Sequence, residues 1–249
     1  MAAIYPAMLL PRSLAASLIF IIAAAAGAQA QTVPAVFPLA PIGQGENGDW
    51  AYFAKYRAAN AQLAPDANRI VFIGDSITEI WAIQPGFTQR ADFVGRGASA
   101  QTTLQMLVRF TADALRLKPR VIHLMGGTND VAGNAGPETD EQIQDAISAM
   151  VTLAKADHVP VVLGSIPPAS EMFWHRGLVP APRIQRLNAW LKAYAAAQHL
   201  VYADYWTVLS GPDGGMKAEF SADGVHPNAA GFAVMMPVLD KALAEAARN

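Results

Sequence analysis

The chain contains no cysteine. That absence excludes a disulfide-stapled scaffold, a thiol nucleophile, thiolate zinc sites, iron–sulfur ligation and a lipoprotein acylation site. Charge is also scarce: Asp, Glu, Lys and Arg make up 15% of the 249 residues and nearly cancel, to a net of −2. No run of like charges forms an acidic or basic tail, and there is no electrostatic footprint for nucleic acid. No Gly-x-Ser-x-Gly occurs, which excludes the serine nucleophile elbow of the common α/β hydrolases. What the chain has in quantity is apolar residues, 53%, enough to bury a full core in one domain without cross-links.

The first thirty residues stand apart. Arg12 is the only charge before the apolar run Leu14–Ala26, and Ala28-Gln29-Ala30 has the small-x-small form cut by signal peptidase. The run is too short and too rich in alanine for a spanning helix. The expectation is a signal peptide over 1–30, export to a bacterial periplasm or the medium, and no stable membrane span after cleavage. Residues 31–49 hold several prolines and glycines and predict an irregular mature N-terminus; residues 50–249 are then one domain. A literal Gly-x-Gly-x-x-Gly at Gly43, Gly45 and Gly48 lacks the preceding strand that a phosphate cradle requires.

From Trp50 onward, short apolar runs alternate with helical periodicity. The runs are Ile70–Ile73, Phe93-Val94, Val121–Met125, Val159–Leu163 and Leu200–Ala203, continuous as in strands buried on both faces. Between them, Leu104, Leu107, Val108 and Leu115 share one helical face, and so do Ile143, Ile147, Met150, Val151 and Ala154. Phe232, Met235, Met236, Leu239 and Leu243 form a last apolar stripe. Repeated strand–helix units predict an α/β fold, a parallel sheet with helices on both sides, with ligands at the carboxyl ends of the strands.

Polar residues gather at those ends. Gly74-Asp75-Ser76-Ile77-Thr78 follows the first run, Gly95-Arg96-Gly97-Ala98-Ser99-Ala100 the second and Gly126-Gly127-Thr128-Asn129-Asp130 the third, while Asp223-Gly224-Val225-His226-Pro227 precedes the last helix. Taken singly, each has a plain structural reading. Ser76 suits a helix cap, Asn129-Asp130 a turn, and Asp223 and His226 caps for the final helix, with Pro227 at its first position. Together they supply a hydroxyl nucleophile, an imidazole to take its proton, a carboxylate to orient the imidazole and an amide donor for a developing oxyanion.

The blocks "GDSIT", "GGTND" and "DGVHP", in this order and spacing, resemble the first, third and fifth sequence blocks of the GDSL/SGNH hydrolase superfamily. The lead-in "DWAYFAKYRAANAQL" is similar to its compact lysophospholipase/acetylhydrolase-like branch. The resemblance implies a three-layer α/β/α sandwich, flavodoxin-like, with a five-stranded parallel sheet. It implies Ser76 as nucleophile, His226 as general base, Asp223 as its orienting partner, and an oxyanion hole from the backbone N–H groups of Ser76 and Ala100 and the side chain of Asn129.

The second block departs from the family pattern, with Gly95 where an Asn is usual and Ala100 where the donor is usually Gly. If Ala100 needs φ > 0, its Cβ costs about 1 kcal/mol and crowds the acyl group. Gly95 is expected to leave the loop without a side-chain amide to brace it. The Gly95-x-Gly97-x-x-Ala100 spelling also fits a loose dinucleotide fingerprint, but it follows the second strand, and Arg116 stands where an acidic residue is expected. No cofactor is therefore expected. Of the other histidines, His123 is expected in the core and His158 and His199 at the surface; none has metal-ligand spacing, so no metal is expected.

Phe173, Trp174, His175 and Arg176 follow the fourth strand and either line a substrate pocket or plug the core beneath a loop; Trp81, five residues after Ser76, and Asp75 beside it are further candidates for substrate contact. The expected activity is that of an exported serine esterase acting on small acyl esters of a small-molecule, carbohydrate or lipid alcohol. The alternatives are acyl transfer to sugar hydroxyls by the same residues, and a catalytically weak binding relative.

Overall fold

A computed structural model describes residues 48–248; the expected signal peptide and most of the irregular segment after it lie outside the described residues. Five strands, β1 (Ile70–Gly74), β2 (Phe93–Gly97), β3 (Val121–Met125), β4 (Val161–Gly164) and β5 (Val201–Ala203), form one sheet in the order β2-β1-β3-β4-β5. Every pairing is parallel. The helices are α1 (Arg57–Gln62), α2 (Ser76–Trp81), α3 (Pro85–Thr88), α4 (Thr103–Asp113), α5 (Thr128–Ala132), α6 (Asp140–Ala156), α7 (Ala181–Ala197), α8 (Tyr205–Leu209) and α9 (Ala229–Ala246). This is the expected three-layer α/β/α sandwich with a flavodoxin-like strand order. Among the described residues no helix is long and apolar enough to cross a membrane.

The continuous apolar runs are explained by burial on both faces, because successive side chains in a strand point to opposite sides. Val71, Ile73, Ile122, Leu124, Val161 and Leu163 pack under α4, α6 and α7. Their neighbours Ile70, Phe72, Val121, Met125 and Val162 pack under α2, α3, α8 and α9. The α6 stripe lies in the first core and most of the α9 stripe in the second. His123 is buried there as expected, 2.9 Å from the Tyr205 hydroxyl, with burial lowering its pKa to about 3. His158 and His199 are exposed.

Two elements differ from the sequence reading. The edge strand β2 continues past Phe93-Val94 through Gly95-Arg96-Gly97, which looks too polar and too glycine-rich for a strand. Gly95 and Gly97 are two residues apart on the same face, and that face is pressed against α2. Arg96 stacks its guanidinium over the Tyr56 ring and donates from Nε to Asn60 Oδ1 at 2.7 Å.

The second difference is α4, which turns the expected apolar positions Leu104 and Val108 outward, at 40% and 44% exposure. Inside lie Met106 and Phe110 together with Gln105, Arg109 and Asp113. A buried guanidinium is tolerated only when its donors are satisfied. Arg109 donates to Arg96 O at 2.7 Å, Gly74 O at 2.8 Å, the Gln101 side chain and Asp113. It therefore ties the ends of β1 and β2 to the loop that follows β2.

Candidate active site

Ser76 is the first residue of α2 and follows β1 with one residue between. Asp75 caps that helix, accepting from Ile77 N at 3.0 Å. Ser76 Oγ stands 2.9 Å from His226 Nε2, and His226 Nδ1 stands 2.7 Å from Asp223 Oδ2. A carboxylate can only accept, so Nδ1 carries the proton and Nε2 is left to accept from the hydroxyl. The second carboxylate oxygen, Asp223 Oδ1, accepts from His226 N at 2.8 Å, Val225 N at 2.9 Å and Ser221 Oγ at 3.1 Å. Partial burial pushes the Asp223 carboxyl up, but the backbone N–H and ring of His226 and the N–H of Val225 outweigh it and hold the pKa down at about 2. The charge that supports the imidazole is thus present throughout the neutral range.

These residues are not helix caps. Asn228 caps α9, accepting from Ala230 N and Gly231 N at 2.9 and 3.0 Å, and Pro227 lies before the cap instead of at the first helical position.

Next to Ser76 lies the loop Ala98–Thr102. Ala100 has φ +63°, the left-handed region in which a Cβ is strained. Among the described residues, neither Ala100 N nor Ser76 N donates to a protein acceptor. Two unused amides beside a hydroxyl can bind a developing oxyanion. The loop is held rigid from several sides. Glu79 Oε2 accepts from both Ser99 N and Ser99 Oγ at 2.8 Å, and Glu79 Oε1 pairs with Lys55 Nζ at 2.6 Å. Gln101 Nε2 donates to Ala51 O at 2.8 Å, and Thr103 N donates to Asp130 at 2.9 Å. Bracing therefore does not depend on position 95; Gly95 sits in β2 against Ala82, and Arg109, Glu79 and the segment from Trp50 to Tyr56 hold the loop instead.

Asn129, on α5 just after β3, is buried except where it faces the same pocket. Its Nδ2 lies 3.1 Å from Gln101 O and 3.3 Å from Asp75 Oδ2. The pocket has a volume of about 500 Å³, with Ser76, His226, Ala100 and Asn129 on its floor and Ile80, Ser99, Asn134, Phe173 and Trp174 around them. Phe173 is 55% exposed and meets the Trp174 ring edge to face, centroids 4.6 Å apart.

Four sequence-predicted pocket residues are elsewhere. Trp81 is fully buried on the far side of α2, stacked on Phe232 and edge-on to Phe72, His123 and Tyr205. Helical periodicity sends positions 77 and 81 inward and gives the pocket Ile80. Asp75 is buried beneath the site as a cap, and burial pushes its carboxyl up to about 6 against the opposing pull of the Ile77 N–H and the His226 ring. His175 turns from the pocket to place Nδ1 2.8 Å from Ala132 O, and Arg176 is exposed to solvent. Sequence reasoning missed Asn134, Ser221 and Arg109. Ser221, two residues before Asp223, carries the one local signal, since short-range hydroxyl bonds are common in such turns.

A family model of GDSL-like lipases and acylhydrolases matches residues 72–234, more than half of the chain. The chain belongs to the GDSL-like lipase/acylhydrolase family. It is an ester hydrolase in class. Among curated proteins there is no match. Solved structures agree with the family. A Bacteroides fragilis protein described as an acylhydrolase is 38% identical, with a TM-score of 0.76, over 79% of this chain and 98% of its own. A GDSL-like lipase from Bacteroides thetaiotaomicron is 35% identical with the same TM-score, 0.76, over 79% and 98%. A Geobacillus acetyl-xylooligosaccharide esterase, solved as a mutant, is 18% identical with a TM-score of 0.58 over 72% of this chain and 95% of its own, and shares the fold.

In this GDSL-like acylhydrolase Ala100 borders the pocket. Ala100→Gly is expected to relieve strain of about 1–2 kcal/mol, partly offset by the greater freedom of glycine in the unfolded chain, for a net gain of about 0.5–1 kcal/mol. Urea denaturation measures it. The space vacated by the methyl is expected to raise the rate on butyryl relative to acetyl esters about threefold or more.

Proposed function

We propose that this protein is an exported serine esterase that hydrolyses esters of short acyl groups through an acyl-enzyme on Ser76. The observation that carries the reading is the continuous chain from Ser76 Oγ through His226 to Asp223, opening onto a pocket with two unused amide donors. His226 Nε2 takes the Ser76 proton as Oγ bonds to the ester carbonyl carbon. The carbonyl oxygen becomes an oxyanion facing Ser76 N, Ala100 N and Asn129 Nδ2. Collapse breaks the bond to the alcohol oxygen, which leaves with the proton from His226. Water then gives a proton to His226 and its oxygen to the acyl carbon, releasing the acid and restoring Ser76.

Short acyl groups suit a floor narrowed by the Ala100 methyl, and the open aromatic wall of Phe173 and Trp174 suits the alcohol side. A sugar or lipid alcohol fits that wall, and an acetyl-xylooligosaccharide esterase shares the fold. Export rests on the signal-like pattern of residues 1–30. The test is a hydrolysis panel of p-nitrophenyl esters from acetyl to decanoyl, together with acetylated xylooligosaccharide, with and without an added sugar acceptor. The expected result is the highest kcat/KM on acetyl and propionyl esters, with free acid as product. A preference for decanoyl esters overturns the short-acyl reading, and acetyl appearing on the acceptor in place of free acetate makes the protein a transferase.

A further inference from the structure

Asn129 is a useful oxyanion donor only if its carboxamide is the right way round. With oxygen and nitrogen exchanged it would present lone pairs to the developing negative charge. Asn134 bears directly on that choice. It is almost fully buried, at 8% exposure, and its Nδ2 donates to Asn129 Oδ1 at 2.6 Å. Its backbone N–H also bonds Asn129 O at 3.0 Å, closing the turn at the end of α5. The carboxamide of Asn134 has the same twofold ambiguity, and Trp174 resolves it. The indole Nε1–H donates to Asn134 Oδ1 at 2.9 Å, and an indole nitrogen can only donate.

The chain therefore has a single direction: Trp174 Nε1–H to Asn134 Oδ1, Asn134 Nδ2–H to Asn129 Oδ1, and Asn129 Nδ2–H toward Gln101 O and Asp75 Oδ2, with Asn129 itself bordering the pocket. Gln101 O, which can only accept, imposes the same direction from the far end. We infer that Asn134 is a positioning residue that fixes the polarity and placement of Asn129, with the Trp174 indole N–H setting the direction, an inference that rests on the donor role proposed for Asn129. Trp174 thereby serves twice: its ring walls the pocket, and its N–H orients a group on the floor.

The test is steady-state kinetics on p-nitrophenyl acetate for Asn134→Ala, Asn134→Asp, Trp174→Phe, Asn129→Ala and the double variant Asn129→Ala/Asn134→Ala, each assayed well below its own melting temperature. Because the oxyanion is absent from the bound ester and develops only on the way to the tetrahedral intermediate, kcat is expected to fall while KM stays within about twofold. Asn134→Ala is expected to cost about tenfold in kcat, and Asn134→Asp about a hundredfold, since a carboxylate facing Asn129 Oδ1 repels it or turns the carboxamide over. Trp174→Phe keeps a ring and removes only the N–H, for a loss of about threefold to tenfold. Affinity for a trifluoromethyl ketone, whose bound adduct carries the oxyanion, is expected to fall in step with kcat/KM. In the Asn129→Ala background, Asn134→Ala is expected to have no further effect on kcat. If Asn129→Ala is crippled while the Asn134 and Trp174 variants keep parental kcat, or if Asn134→Ala acts as strongly without Asn129, the positioning role is overturned alone. If Asn129→Ala itself keeps parental kcat, the oxyanion reading fails and the positioning role falls with it.

Discussion

Replacing Ser76 with alanine is expected to lower kcat/KM on p-nitrophenyl acetate by about 10³-fold or more. The hydroxyl is the only atom of the proposed machinery that forms a covalent bond, and no neighbouring group can substitute for it. There is no cysteine in the chain, and Ser99, the other hydroxyl at the pocket, is held by Glu79 at 2.8 Å. Folding is expected to be little affected, because among the described residues Ser76 Oγ bonds only His226. A fluorophosphonate is expected to label the parent at Ser76 and to leave the variant unmodified. Parental turnover by a folded Ser76→Ala protein would refute the acyl-enzyme at this residue.

The second large effect falls on stability. A Cβ at Gly97 would stand 2.1 Å from Glu79 N and 2.7 Å from Asp75 O. Those two atoms bond each other at 3.0 Å in the first turn of α2. Neither can retreat without unwinding the turn that carries Ser76. Gly97→Ala is therefore expected to destabilise the protein by about 3 kcal/mol or more, beyond ordinary overpacking. Urea denaturation and soluble yield report it; an unchanged unfolding midpoint would mean that β2 and α2 are not in such close contact. At Gly95 the added atom would meet the Ala82 methyl at 2.4 Å, with the nearest backbone atom, Ala82 Cα, at an ordinary 3.7 Å. The Gly-x-Gly that resembles a phosphate cradle thus serves to bring a strand edge against the helix that presents the serine.

Sheet and layers are legible in the sequence because a strand buried on both faces must be largely apolar: β1 and β4 obey that rule throughout, and β3 does so except at His123, whose ring is paired with the Tyr205 hydroxyl. The end of β2 escapes it, because its glycines are chosen for a helix that arrives from elsewhere in the chain. The α4 face is misread for a similar reason. Periodicity assumes that apolar residues point inward, yet Arg109 goes inside because carbonyls from two strands and a carboxylate await it. In the site, Ser76, Asn129, Asp223 and His226 are legible because each lies in a short block with the right neighbours. Asn134 and Trp174 are not. Their meaning lies in a hydrogen bond across 40 residues of sequence, which no local pattern encodes.

Asp223 and His226 lie in one four-residue turn, in which Val225 N, His226 N and Ser221 Oγ all donate to Asp223 Oδ1, so their pairing is made locally. The remaining contact, from Ser76 to His226, joins positions 150 residues apart. Its length is set by how α9 lies against α2. Phe232 stacks on Trp81 with centroids 5.7 Å apart, one ring six residues after the imidazole and the other five after the hydroxyl. That buried pair is a ruler between the two halves of the machinery. Lifting the last helix by an ångström parts serine from histidine while leaving the histidine with its carboxylate and the sheet intact. Turnover is therefore a sensitive gauge of whether α9 is seated, and it should fade under conditions where the rest of the protein still holds together.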